Sequence, residues 1–225
     1  MQSWGSNSLF WHRETGAFPT KSGVIGLLFC ALGWGGEQKE ALAEIAPLPQ
    51  TVFQIGNPKE KRAPLMTDFH MVGGGYDDTD PWELECIPKT SAGKKAVNGG
   101  ARLTRREYLQ DASFAVILGI PEQWSTEVLK GFSEPVWDIY LGRKCCAPAL
   151  PVFGGLFDTE EAAREFLKKE ITDVYGEGAA VLAVWNEVPL GTLGSQLVRD
   201  VPLTFGKSKK YYERAVIRQG ADLSD

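Results

Sequence analysis

Histidine is almost missing from this chain: 225 residues contain only His12 and His70. Metal-free cleavage of a phosphodiester usually draws on a group that titrates near neutral pH, so candidates for that chemistry are few. Cysteine is nearly as sparse. Cys30, Cys86, Cys145 and Cys146 show neither CxxC spacing nor a disulfide framework. A metal at the 145–146 pair would need ligands from elsewhere, with two histidines to draw on. The longest apolar run, residues 23–34, falls short of the roughly 20 residues that span a bilayer, and no secretory pattern opens the chain. A GxxxxGK phosphate loop is absent, and so is an acidic partner motif for Mg²⁺. These absences point to a soluble cytoplasmic protein with no membrane partner, metal or other cofactor, and they disfavour nucleotide hydrolysis.

A basic excess is lacking too. Lysine and arginine number 24 against 29 acids, for a net charge of −5 and a pI near 5.2. Indiscriminate nucleic-acid binding usually needs the opposite balance; a narrow cationic track on an acidic body remains open. The positive residues do cluster: Arg13 with Lys21, Lys94 with Lys95, Arg102 with Arg105 and Arg106, Arg143 with Lys144, and Lys207, Lys209 and Lys210. Acids gather instead across residues 158–177.

What is present suffices for a core. The hydrophobic fraction is 43%, with 25 glycines and 13 prolines to turn the chain. Residues 22–33 read as an apolar helix stopped by Gly33-Trp34-Gly35-Gly36, residues 37–45 as a short amphipathic helix. Residues 51–55 and 63–72 read as strands, and 111–120 as a buried strand. Helices follow from Pro121 and across 158–171, the latter capped by Asp158 or Thr159. Late strands fall at 180–188 and 211–220. The order predicts an α+β chain built on antiparallel sheet. Between residues 72 and 108 glycine, proline and paired aspartates break the periodicity. That segment reads as a protruding hairpin or arm, the alternative being a disordered insertion.

The head of the first helix poses the main chemical question. Thr20 and Ser22 are natural caps. Capping alone does not explain Lys21, a cation opposing the dipole in the first turn, nor Gly23, which costs about 1 kcal/mol against alanine in a helix. A phosphate at this N-terminus accounts for both. Further on, "TRREYLQDASF" (104–114) sets Arg105, Arg106 and Tyr108 before a strand, a pairing suited to phosphates and a stacked base; a salt-bridged corner gives the same pattern. "YLGRKCCAPALPVFGG" (140–155) carries Tyr140, Arg143 and Lys144 in a loop that is otherwise a plain connector.

Taken together, "QSWG" (2–5), "TGAFPTKSGVIGLL" (15–28), "DFHMVGG" (68–74), "REYLQDASFAV" (106–116), "YLGRKCCAP" (140–148) and the closing "YYERAVIRQGADLSD" resemble, in order and spacing, the CasD family. These are the fifth-type CRISPR-associated subunits of type I-E Cascade, an antiviral defence complex. The resemblance implies a modified RNA-recognition-type, ferredoxin-like domain over 1–120, with a β-hairpin thumb at about 73–107, and a smaller β-rich portion over 121–225. It implies a non-catalytic role, gripping the 5′ handle of the CRISPR RNA beside a neighbouring backbone subunit and the large subunit. Target DNA is met only through the complex. The RNA-binding set it implies is Arg13, Thr20, Lys21, Ser22, Gly23, Arg102, Arg105, Arg106, Tyr108, Tyr140, Arg143 and Lys144. Subtype-C relatives process precursor CRISPR RNA, which makes a metal-independent endoribonuclease the competing expectation; their adjacent Lys-His is absent here. One departure stands out. Family members carry an apolar strand before "QSWG", and here Met1 abuts the motif. The expectation is an upstream start, a substitute strand or a partner filling that place.

Overall fold

A computed structural model describes residues 1–5, 11–72, 79, 81, 89–94 and 102–220. Two sheets organise it. The larger has five antiparallel strands in the order β5-β2-β6-β8-β7: β2 Gln50–Gly56, β5 Ser113–Leu118, β6 Ala180–Val188, β7 Gln196–Thr204 and β8 Lys210–Gly220. The smaller has β3 Met66–Val72 antiparallel to β4 Arg102–Tyr108, with the short β1, His12–Arg13, parallel on β4's other side. Both sheets and the helices around them make the α+β architecture expected from the sequence.

The large sheet is half-buried on two faces, which explains its aliphatic strands. One face, with Phe53, Ile55, Val181 and Val184, packs under Leu167 and Ile171 of a helix at Glu160–Tyr175. The other carries Val52, Ala183, Trp185 and Val216 beneath Phe18, whose ring stacks on Trp185 at 5.0 Å. A separate helical core joins Ile25, Leu28 and Phe29 of α1 (Lys21–Leu32), Leu42 and Ile45 of α2 (Lys39–Ile45), and Val128 of α3 (Ser125–Ser133) around Trp124. Glu160–Tyr175 is α4, capped by Thr159, whose hydroxyl accepts the Ala162 N–H. Gly33 ends α1 in the left-handed region at φ 73°, with the Trp34 amide donating back to Phe29.

Several expectations are refined. Residues 111–120 form not a fully buried strand but an edge strand, half-exposed along its length. β7 went unread because Asp200 and Pro202 interrupt its apolar pattern; the ladder to β8 shifts register around both. The large sheet takes β2 and β5 from before residue 120 and β6, β7 and β8 from after it, so its hydrogen bonding crosses the expected division. Among the described residues its five strands are hydrogen-bonded neighbour to neighbour, with no open slot. The expected thumb at about 73–107 lies largely outside the described residues (73–78, 80, 82–88 and 95–101 are not described); β3 and β4, on either side of it in sequence, pair antiparallel.

Candidate nucleic-acid interface

The head of α1 is satisfied from within the protein. Lys21 is buried, 1% exposed. Its amide donates to Asp200 Oδ2 at 2.8 Å, so the anion at the helix N-terminus is a carboxylate from β7. Its Nζ donates to the Leu48 carbonyl at 2.6 Å and to Glu187 Oε1 at 3.0 Å. Arg214 completes a quartet of two cations and two carboxylates: Nε and Nη2 donate to Asp200 at 2.7 and 2.8 Å, Nη1 to Glu187 at 2.6 Å. Burial pushes the Lys21 pKa below the ordinary lysine value, outweighing the pull of Glu187. Burial also opposes the charge on Arg214, but the bonds to Asp200 and Glu187 prevail and raise it.

Gly23 has an equally internal reason. A Cβ there would lie 2.9 Å from both the Trp4 ring and the Thr20 hydroxyl. Close packing against Trp4, not approach of a phosphate, requires the glycine. Thr20 is buried and makes no side-chain cap bond; Ser22 is half-buried. Thr20 and Lys21 therefore sit inside the fold, with Ser22 and Gly23 half-buried beside them, and the Lys21 charge that raised the question of a phosphate is met by a buried ion-pair network.

Of the remaining predicted residues, Arg13, Arg106, Tyr108 and Arg143 meet around the β1–β4 junction, with Lys144 next in the chain. The segment after Met1 laces this junction: Gln2 bridges to Leu109, the Ser3 amide donates to the Leu141 carbonyl, and the Trp4 amide to the Thr15 hydroxyl. Arg143 ties the 140–146 loop to both strands, donating from Nη1 to the Glu107 carbonyl (3.1 Å) and from Nη2 to the Arg13 carbonyl (2.9 Å). Its guanidinium lies 4.8 Å from the centre of the buried Tyr108 ring. Cys145 reaches the Tyr108 hydroxyl at 3.5 Å; burial, followed by that contact, raises the Tyr108 pKa. Gly142 permits the docking: at φ 90° its Cα side faces the Ser3 carbonyl, where a Cβ would collide.

On this frame Arg13, Arg105 and Lys144 are exposed and Arg106 is half-buried. Register places Arg13 opposite Arg106 and His12 opposite Arg105, so the two pairs occupy opposite faces of the small sheet. The Arg106 Nε is buried with no hydrogen-bond acceptor among the described residues. Arg102 begins β4. Tyr140 is half-buried and faces Cys30 of α1; burial raises the pKa values of both. Glu107, an acid of the salt-bridged corner read from the sequence, accepts from His12 Nε2 at 2.9 Å and from the Thr15 amide at 3.4 Å. His70 belongs to the face opposite His12, since Phe69 is the residue paired with Arg105. The two histidines cannot act together on one phosphate.

Residues 1–217 match the family model described as CRISPR-associated protein (Cas_Cas5). The chain belongs to the Cas5 family of CRISPR-associated proteins. It is 28% identical over 238 residues to the CRISPR system Cascade subunit CasD of Escherichia coli (strain K12), spanning 100% of this chain and 94% of that protein. A chain in a solved CRISPR RNA-guided surveillance complex superposes with a TM-score of 0.67 at 27% identity, covering 98% of this chain and 86% of its own length. A structure described as a crystal structure of Cas protein shares the fold, with a TM-score of 0.60 at 24% identity over 97% and 89% of the two chains. The CasD resemblance seen in the motifs thus extends over the whole Cas5-family fold.

Proposed function

We propose that this Cas5-family chain is the non-catalytic guide-RNA subunit of a type I-E Cascade, holding the 5′ handle of the CRISPR RNA and closing that end of an antiviral assembly. The observation that carries the reading is the meeting of Arg13, Arg106 and Arg143, with Lys144 next to it in the chain, from three distant segments at the β1–β4 junction of an otherwise acidic protein, with Arg105 exposed on the sheet's other face. Phosphates recognised there gain charge-assisted bonds from the exposed Arg13 and Lys144. In this reading Thr20, Lys21, Ser22 and Gly23 serve the head of α1 and are not counted in the RNA-facing surface. The neighbouring backbone subunit, the large subunit and, through the complex, target DNA are the partners this role entails.

A cleaving role finds less support. His12 is engaged by Glu107, and His70 lies on the other face. The decisive experiment is reconstitution with precursor and mature guide RNA in EDTA. Capture of intact RNA, weakened by Arg13→Glu with Lys144→Glu, is the expected result. Specific cuts lost in His12→Ala or His70→Ala would replace this reading with an endoribonuclease.

A further inference from the structure

A row of side chains crosses the small sheet on the face that carries Arg105. His12, Arg105 and Phe69 are register partners on β1, β4 and β3. The Trp11 ring leans on His12, with centroids 5.6 Å apart. The Arg105 guanidinium sits between two rings, 5.9 Å from the centre of Trp11 and 5.1 Å from that of Phe69. Both rings are 57% exposed, and the next rung, Met71 opposite Leu103, is exposed too. Aromatics on strands ordinarily go inward, and a contiguous exposed set marks a binding surface.

We propose that Trp11 and Phe69, with Arg105 between them, form a stacking platform for splayed bases of the bound RNA strand. The proposal rests on the guide-RNA reading above and adds residues to it. Charge selects the occupant. On this face Glu107 and Glu14 lie beside His12, leaving Arg105 as the ion without a carboxylate partner among the described residues. Held by rings, its guanidinium makes no hydrogen bond among the described residues, so its donors stay available. A nucleotide answers both halves at once: its base offers a π-face to Trp11 or Phe69, and its phosphate accepts from Arg105. Arg13 and Arg106 are register partners on the other face of the same sheet and lie outside this platform. Stacking is tolerant of base identity, so the platform holds the strand while edge contacts elsewhere read its sequence.

The test uses the reconstituted guide ribonucleoprotein, with 2-aminopurine placed in turn at each position of the guide's leading end. In the native protein one or two positions should be quenched by stacking. Trp11→Leu with Phe69→Leu should release that quenching and weaken guide capture about tenfold or more, while Trp11→Tyr with Phe69→Tyr should preserve both. Abasic nucleotides at the quenched positions should cause the same loss in the native protein and none beyond it in the leucine variant; that arm leaves the protein unaltered. Unchanged quenching and capture in the leucine variant, with capture still weakened by Arg13→Glu and Lys144→Glu, overturns the platform and leaves the guide-RNA reading standing. Intact RNA capture with loss of subunit incorporation assigns the face to a protein. If neither set of variants weakens capture, the guide-RNA reading itself falls.

Discussion

The Asp200 carboxylate accepts the Lys21 amide at 2.8 Å across 179 residues of sequence, capping the first long helix with a strand from the other end of the chain. The same carboxylate takes two bonds from Arg214. Removing one member of such a network strands the others in a low-dielectric interior. Asp200→Ala should destabilise the protein by about 3–5 kcal/mol, and Asp200→Asn by less, because the amide oxygen still accepts from Lys21. Urea unfolding monitored by circular dichroism measures both; equal, small losses would show that the quartet contributes little.

Lys21 makes stability depend on pH in a defined direction. Its folded pKa is depressed by burial, so between that value and the ordinary lysine value the unfolded chain binds more protons than the folded one. Unfolding free energy therefore rises with pH through this window, as the cost of the buried charge is relieved. Compared with Lys21→Met, the native protein should gain stability as pH is raised from neutral towards the alkaline end of that range. A difference that is flat, or that runs the other way, would refute the depressed value.

Gly142→Ala should uncouple the 140–146 loop from the chain's first residues. The added methyl meets the Ser3 carbonyl, and φ of 90° disfavours any side chain. A loss of about 1–3 kcal/mol is expected. It should come with weaker guide capture, because Arg143 and Lys144 lose their placement. Full stability and full capture in this variant would disconnect the loop from the interface.

Surface charge at the junction should act on RNA and not on the fold. Arg13→Ala and Lys144→Ala should each lower the slope of log affinity against log salt by about one, with stability unchanged within about 0.5 kcal/mol. A slope that stays put in both variants would remove them from the phosphate contacts.

The sequence was most legible where local rules act. The left-handed stop at Gly33, the Thr159 cap and the β6 strand at Ala180–Val188 follow from capping chemistry and periodicity alone. The cations near the β1–β4 junction were legible as clusters, and the structure brings Arg13, Arg106 and Arg143 together there. The helix head was legible only as a question. Lys21 and Gly23 did demand an explanation, but the answers, Asp200, Glu187, Arg214 and the Trp4 ring, lie on elements that become neighbours only through tertiary structure. Trp11 and Phe69 were invisible for a related reason. An aromatic on a strand reads as core, and only the register with Arg105 turns it outward.

Burying Lys21 against Asp200 and Arg214 also ties maturation to the direction of synthesis. A ribosome releases the first long helix well before β7 and β8 emerge, so the nascent chain carries that helix with its head uncovered. The interlock closes only when the final strands arrive. Prematurely terminated products that lack β7 and β8 will display an unsatisfied lysine and an uncovered β6 edge to the cell's proteases, whereas finished chains cover both.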